Sequence, residues 1–321
     1  MGYFIFALTL ILPVLAMIFI KKLDLWINYR KSIERKHVVI TGGSSGIGKS
    51  LALLAARKGA DVTIIARDLT RLEDTEKELE NMKLHETQTF KAISMDVTNN
   101  DKVNEIFNEI DNKNPIYMLI NCAGCSIAGT IEDTPFEEAK NVMNVNYFGS
   151  FYPIQAVVPK MKRRKKGIIV LCGSQSSLFG FFGYSVYASS KFALRGLAEV
   201  LDMEVKPHDI TVTFALPPDT YTPGFVNELK SKPEATKIIS GTGGIYEPDV
   251  VAERILKDAL NNKFFSYVGT SSFMLANLCS GMSPTTIYET IYQCFLLGYL
   301  KIIGSIYLKI FQNTVKSLNV K

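Results

Sequence analysis

The chain has 321 residues, 47% of them hydrophobic and 21% charged, with a formal net charge of +5. That length admits one large α/β domain of roughly 250 residues plus extra segments, not two full domains, and so modest a charge, much of it in local clusters, does not argue for a nucleic-acid partner. Five cysteines (Cys122, Cys125, Cys172, Cys279 and Cys294) with no CxxC pair argue against both a disulfide framework and a zinc site.

Residues Tyr3 to Ile20 form an uncharged apolar run interrupted by Thr9 and Pro13, and Lys21, Lys22, Arg30, Lys31, Arg35 and Lys36 follow it. At ~1.5 Å per residue the run is just long enough to cross a bilayer. Cations on its C-terminal side place the N-terminus on the far side and the main domain in the cytosol. A cleaved signal peptide is the competing reading, but the charge follows the apolar run and there is no small-x-small site. The absence of an Asn-x-Ser/Thr acceptor agrees with a cytosolic domain. The expected organisation is a transmembrane anchor over residues 1–22 and a basic linker over 23–36.

His37-Val38-Val39-Ile40 is a β-branched run leading into Thr41-Gly42-Gly43-Ser44-Ser45-Gly46-Ile47-Gly48, and apolar residues then recur at helical spacing through Leu51, Leu54 and Ala55. Strand, glycine loop and helix, in that order, is the phosphate-binding unit of a nucleotide fold. Gly42 permits the tight turn, Gly46 the approach of a pyrophosphate and Gly48 the packing of helix on strand. The second strand, Asp61 to Ala66, ends at Arg67 with Arg71 four residues on. An acid there would bind the adenosine 2′-hydroxyl of NAD, whereas arginine pairs with the extra phosphate of NADP. Asp68 is expected to cap the next helix.

A charged helix (Leu72 to Met82) and a third strand ending at Met95-Asp96-Val97 follow. Asp96 can accept from an adenine amino group or cap the helix that begins near Asp101. Tyr117 to Ile120 is a buried strand whose turn, Asn121-Cys122-Ala123-Gly124, is small enough for backbone to lie against a cofactor; Asn121 can also tie adjacent strands together. Phe136 to Met161 reads mostly as one helix with Asn146 inside it. Asparagine is a poor interior helix former, so a local distortion is expected there. The five cations Lys162 to Lys166 read as a solvated turn, with a nucleic-acid contact, a targeting signal and anionic lipid as other readings.

Gly167 to Leu171 is the fifth strand, and Ser174 lies just past its end. Thirteen residues later comes Tyr187, with Lys191 one helical turn beyond it. That spacing stacks phenol and ammonium on one helix face, where the phenol can donate a proton to a ketone. Ile210 to Ala215 is the sixth strand, and Leu216-Pro217-Pro218-Asp219-Thr220-Tyr221-Thr222-Pro223-Gly224 crosses the same sheet edge as a rigid loop.

Taken together, Thr41-Gly-x-x-x-Gly-x-Gly48, Asn121 to Gly124, Asn146, Ser174, Tyr187-x-x-x-Lys191 and the proline loop resemble the short-chain dehydrogenase/reductases over about residues 37 to 270. More narrowly, residues 42–49, 188–199, 203–207 and 217–225 resemble the 3-ketodihydrosphingosine reductases of that family. The resemblance implies a doubly wound parallel α/β sheet (a Rossmann fold) and NADPH-dependent reduction of a long-chain sphingoid ketone at the endoplasmic reticulum membrane. It implies that Tyr187 protonates the keto oxygen, that Lys191 lowers the phenol pKa and holds the nicotinamide ribose, and that Ser174 hydrogen-bonds the carbonyl. Asn146 would position a water linking the lysine to solvent. The implied cofactor site comprises Gly42, Ser44, Ser45, Gly46, Ile47, Gly48, Arg67, Arg71, Asp96, Val97, Asn121, Ala123, Gly124, Tyr187, Lys191, Pro217, Thr220 and Thr222, with no metal. A homo-oligomer through the family's long helices is a further implication.

Two departures bear on this. Pro217-Pro218 stands where the wider family has Pro-Gly, which removes a backbone donor. Tyr221 stands where the narrower group has an acid that would suit the substrate's amino group. Steroid, retinoid and fatty acyl ketones are therefore alternative substrates, and a nucleotide-binding scaffold without turnover is the non-enzyme alternative.

Phe225 to Ser240 is expected to cover the substrate as a mobile part, Gly241 to Gly244 to form a flexible turn, and Glu247 to Leu260 a further helix. Beyond Val268 the texture changes: residues 273–282 and Ile291 to Phe311 are apolar and aromatic, broken by Lys301 and Lys309. A spanning helix would set Lys301 near mid-bilayer at ~2.5–3.5 kcal/mol. A partly inserted or interfacial segment over 271–321 is therefore favoured, with a buried helix of the domain as the alternative.

Overall fold

The computed structural model describes residues 31–318. The expected N-terminal anchor, and the linker up to Arg30, lie outside these residues.

Seven parallel strands form one sheet in the order β3-β2-β1-β4-β5-β6-β7. They are β1 (His37–Thr41), β2 (Asp61–Ala66), β3 (Phe90–Ser94), β4 (Ile116–Asn121), β5 (Gly167–Cys172), β6 (Ile210–Leu216) and β7 (Phe265–Tyr267). The direction of winding reverses between β1 and β4, which opens a crevice at the carboxyl edge, the place where open parallel sheets bind ligands. Alternate strand residues feed two cores. Val39, Leu119, Ile169 and Phe214 face one side, and Val38, Ile40, Met118 and Val170 the other.

Helices cover both faces, as a parallel sheet buried on both sides requires. On the first face lie α3 (Asn100–Lys113), α5 (Gly149–Arg164) and α6 (Ser185–Val205), through Phe107, Val157 and Leu194. On the second lie α1 (Gly46–Arg57), α2 (Leu69–Glu80) and α9 (Pro248–Leu260), through Leu51, Leu72 and Ile255. The doubly wound parallel α/β fold expected from the sequence is thus the one observed.

Local differences have local causes. β3 stops at Ser94, short of the expected Val97, because Asp96 turns back to accept from Thr98 N–H (2.9 Å) and Thr98 Oγ1 (2.8 Å). Asn99 rather than Asp96 caps α3, accepting from Lys102 N–H at 3.0 Å. Asp68 does cap α2, accepting from Arg71 N–H at 3.1 Å. The basic run is not wholly solvated: Arg164 makes two 2.8 Å bonds to buried Asp111 and a third to the Ile116 carbonyl. Lys165 then ends α5 in the left-handed region at φ 50°.

The segment expected as one helix from Phe136 is two. Between α4 (Phe136–Met143) and α5 runs a five-residue π-turn, Asn144–Phe148, with Asn146 fully buried at its centre. Wider turns of this kind recur at functional sites. The cover expected over Phe225 to Ser240 is two short helices, α7 (Pro223–Glu228) and α8 (Glu234–Gly241). After β7 come α10 (Gly269–Leu278) and α11 (Ile287–Leu318), a single helix of 32 residues. Its most apolar window has a mean hydropathy of 1.6 and is only 6% buried, so α11 is not a buried core helix and is long and apolar enough to cross a membrane.

Candidate active site

The glycine loop sits at the sheet's switch point, and its glycines are demanded by space. Gly42 has φ +69°, and a Cβ there would stand 2.7 Å from Ala123 N. Gly46 has φ +52°, and a Cβ would stand 2.8 Å from the Thr222 methyl, so the glycine loop and the proline loop meet here. Gly48 abuts the Gly42 carbonyl and Cys122, which lets α1 start directly against the loop and β4. Ser45, the N-cap of α1, makes no side-chain cap bond, so the first helical N–H groups have no side-chain acceptor.

A cleft of about 380 Å³ runs from this loop to the phenol. Ser45, Ile47, Ala123, Gly124, Ser174, Tyr187, Lys191, Pro217, Thr220 and Thr222 all border it. A separate pocket of about 430 Å³ on the β2 side brings together Ser44, Arg67, Arg71, Asp96, Val97 and Gly124. All the sequence-expected site residues except Asn121 and Asn146 therefore fall into two adjoining cavities along one sheet edge. Asn121 lies beneath them, 1% exposed, with both polar atoms of its amide lacking a protein partner, so its side chain does not tie strands together. Open helix N–H groups, glycine-cleared space and an unpartnered buried amide are features that a dinucleotide would satisfy, and the residues present fit one.

Tyr187 and Lys191 stand on α6, with the lysine Nζ 5.7 Å from the tyrosine ring centroid. Lys191 is 6% exposed and donates to the Cys172 carbonyl at 2.9 Å, while burial lowers its pKa from the usual lysine value. Burial pushes the Tyr187 phenol well above its ordinary value of 10; hydrogen bonding with Ser174 pulls it back, and the Glu228 and Asp219 carboxylates push it further up. Burial is the largest influence on it, and a phenol held protonated is the form that gives a proton to a ketone.

Ser174 caps the short turn Gln175–Ser177, its Oγ accepting from Ser176 N–H at 3.1 Å. That bond fixes the rotamer and occupies only a lone pair, so the hydroxyl hydrogen remains for the Tyr187 oxygen or a ligand carbonyl. Asn146 is a brace: its amide donates to the Cys125 carbonyl (2.9 Å) and Ser190 Oγ (2.8 Å) and accepts from Cys125 N–H (2.9 Å). The π-turn thus ties the end of the β4 loop to α6. Thr220, expected at the cofactor, turns its hydroxyl to the Pro218 carbonyl at 2.8 Å and is 5% exposed. Thr222 caps α7, accepting from Phe225 N–H at 3.1 Å. Cys122, just past the end of β4, and Cys172, the last residue of β5, lie in the cleft floor as free thiols, their sulfurs 2.7 Å apart.

One cluster was not anticipated. Lys232, its side chain wholly buried, pairs with Glu228 at 3.0 Å and with Asp219 at 3.4 Å. Tyr184, one turn before Tyr187, donates to the same Glu228, and the Lys232 ammonium lies 5.3 Å from both the Tyr184 and Phe225 ring centroids. Asp219, Glu228, Tyr184 and Tyr187 line one cleft. Two carboxylates against one ammonium leave one negative charge beside the proton donor. Tyr221 points away, 59% exposed.

A family model described as short chain dehydrogenase matches residues 36–233. The chain belongs to the short-chain dehydrogenase family, oxidoreductases that work with a nicotinamide cofactor. Within it, the chain is 44% identical over 283 residues to a 3-dehydrosphinganine reductase of Danio rerio, covering 87% of this chain and 85% of that protein. It is 43% identical to a 3-ketodihydrosphingosine reductase of Bos taurus over the same shares of the two chains. Among solved structures it resembles a short-chain dehydrogenase from Sphingobium yanoikuyae in complex with NADPH, with TM-score 0.64, 26% identity, and coverage of 72% of this chain and 87% of that one.

Proposed function

We propose that this protein reduces 3-ketodihydrosphingosine to dihydrosphingosine with NADPH, a step of sphingolipid synthesis. The 44% identity across 87% of the chain to a 3-dehydrosphinganine reductase carries this reading. When bound, the nicotinamide supplies the hydride. Tyr187 donates its proton to the keto oxygen, and the Ser174 hydroxyl hydrogen-bonds the same atom. Lys191, anchored on Cys172, holds the nicotinamide ribose. Asn146 keeps Cys125 and α6 in register, so the phenol stays over the cleft.

The acid cluster supports a sphingoid base over a steroid or retinoid ketone. The carbon next to the ketone carries an ammonium, and the surplus charge of Asp219 and Glu228 stands beside Tyr187. The acid missing at Tyr221 is thereby supplied from α7. Consumption of NADPH by detergent-solubilised protein, with 3-ketosphinganine beside a panel of steroid and retinoid ketones, tests the assignment. Turnover is expected with the sphingoid ketone; turnover of another ketone without it would overturn the reading.

NADPH is proposed over NADH because Arg67 directly follows β2, where an acid would favour NAD. Asp68 accepts from the Arg71 backbone and pairs with its guanidinium at 3.2 Å, so that carboxylate is engaged away from a ribose. Arg67→Asp is expected to move the NADPH/NADH preference toward NADH by about tenfold or more, one charge-assisted contact being worth ~1.5–3 kcal/mol. An unchanged ratio of kcat/KM for the two cofactors would remove the phosphate contact.

We further propose an anchor over residues 1–22, a basic linker over 23–36, a catalytic domain over 37–270 facing the cytosol, and a membrane-associated segment over 271–321, at the endoplasmic reticulum. Protease added to intact microsomes is expected to digest the catalytic domain without detergent. Protection until detergent is added would reverse the orientation.

A further inference from the structure

A third cavity, of about 620 Å³, opens from the catalytic cleft, and the two share Ser174, Ser176, Pro217, Pro218 and Asp219. Its far wall is one face of α11. Leu300, Ile303, Gly304, Tyr307 and Phe311 line it, spaced three or four residues apart as a single helical stripe requires. Met274, Leu275 and Leu278 of α10 form a second wall. The two helices come close because residue 304 has no side chain: a Cβ there would stand 2.7 Å from a Leu278 methyl.

An aromatic series joins the ends. Phe311 stacks on Phe179 (6.5 Å between centroids), Phe179 on Phe181 (5.2 Å), Phe181 meets Tyr184 edge-on (5.0 Å), and Tyr184 meets Tyr187 (5.3 Å). Among the described residues, only two charged ones line the cavity, Asp219 at the catalytic end and Lys301 on α11. Outside, the opposite face of α11 exposes Phe295, Tyr299, Ile302, Ile306 and Ile310, each at least half exposed. So α11 is apolar on both faces, one turned to the cavity and one outward, as suits a helix bordering both a hydrocarbon site and lipid.

We propose that this cavity binds the long alkyl chain of the ketone, taken up along α11 from the lipid surface. The proposal rests on the sphingoid-ketone reading above. A 2-amino-3-ketone bears its ammonium on one side of the carbonyl and its chain on the other. With the carbonyl at Ser174 and Tyr187 and the ammonium at Asp219 and Glu228, the chain leaves past Pro218 into the apolar cavity. Lys301 repels an ammonium and Asp219 attracts it, so the charges set the same direction. A steroid or retinoid, with no cation to place, would gain nothing from that polarity.

The test is a chain-length series of 2-amino-3-ketones, from eight to eighteen carbons, reduced by full-length detergent-solubilised protein at saturating NADPH. For the unaltered protein, kcat/KM is expected to rise by roughly fourfold per added methylene until the cavity is filled, from the transfer free energy of a buried CH₂. Ile303→Trp, which fills the cavity without touching the cleft, is expected to lower kcat/KM at least tenfold for the eighteen-carbon ketone and to leave the eight-carbon ketone within about twofold. Should that variant fail to bind NADPH, Ile303→Ala replaces it, with a severalfold loss confined to the long chains. Equal losses at every length, or none, in a variant that still binds NADPH would overturn the alkyl site while the sphingoid assignment stands. Failure of the unaltered protein to reduce any member of the series, with reduction of a steroid or retinoid ketone, would overturn the assignment and the alkyl site together.

Discussion

Tyr187→Phe is expected to abolish reduction almost completely, by about 10²- to 10⁴-fold, the contribution of a positioned proton donor. The ring and its packing against Tyr184 remain and only the hydroxyl goes, so NADPH affinity should stay within about threefold. Fluorescence of bound NADPH and single-turnover rates read the two quantities separately. A comparable rate in the variant would refute the role. The pH profile offers an independent reading. The acid form of Tyr187 is needed for reduction, and burial lifts its pKa above 10, so the phenol stays protonated through and beyond the neutral range. Lys191 shifts the other way, its pKa lowered from 10.5 by burial. Reduction should therefore be flat from about pH 6 to 8, and the alkaline fall should come from loss of the lysine charge. A rate that falls steadily with pH through neutrality, as from an acidified phenol, would contradict the arrangement around Tyr187.

Glu228→Gln is expected to lower kcat/KM for 3-ketosphinganine about 30-fold or more, since losing one partner of a buried charge pair costs ~2–5 kcal/mol. Glutamine keeps the shape and can still take the Tyr184 hydroxyl hydrogen, while Lys232 keeps Asp219. The cluster then holds no surplus charge. A matched ketone lacking the amine should lose far less. Equal losses for both ketones would show that Glu228 only braces Tyr184 and Lys232, and would leave ammonium recognition without support.

Residues far apart in the chain explain why this cluster was not read from the sequence. Tyr184 and Glu228 are 44 positions apart, and neither sits in a motif; only the return of α7 over the cleft joins them to Lys232. Tyr221, by contrast, drew attention as a missing acid because it lies inside a recognisable loop, yet it faces solvent. A motif records which residue types occur, but not which way a loop turns them. Thr220 makes the same point: its hydroxyl closes on Pro218 within the loop. Asn146 was legible for the opposite reason. An amide inside an apolar-periodic helix violates helix propensity, and the violation marks the π-turn that carries it.

Periodicity and spacing by themselves determined the alternation of strands and helices that makes a parallel α/β sheet, the glycine loop and the Ser174, Tyr187 and Lys191 constellation. Each of these is encoded by neighbours along the chain, where alternation, helical repeat and glycine placement act. Tertiary structure alone decided what those residues experience. Burial is the largest influence on the Tyr187 proton, one of the acids beside it comes from a separate helix, and the C-terminal apolar stretch becomes one exposed helix walling a cavity. These are properties of desolvation and of long-range packing, which depend on what the folded chain lays beside each group.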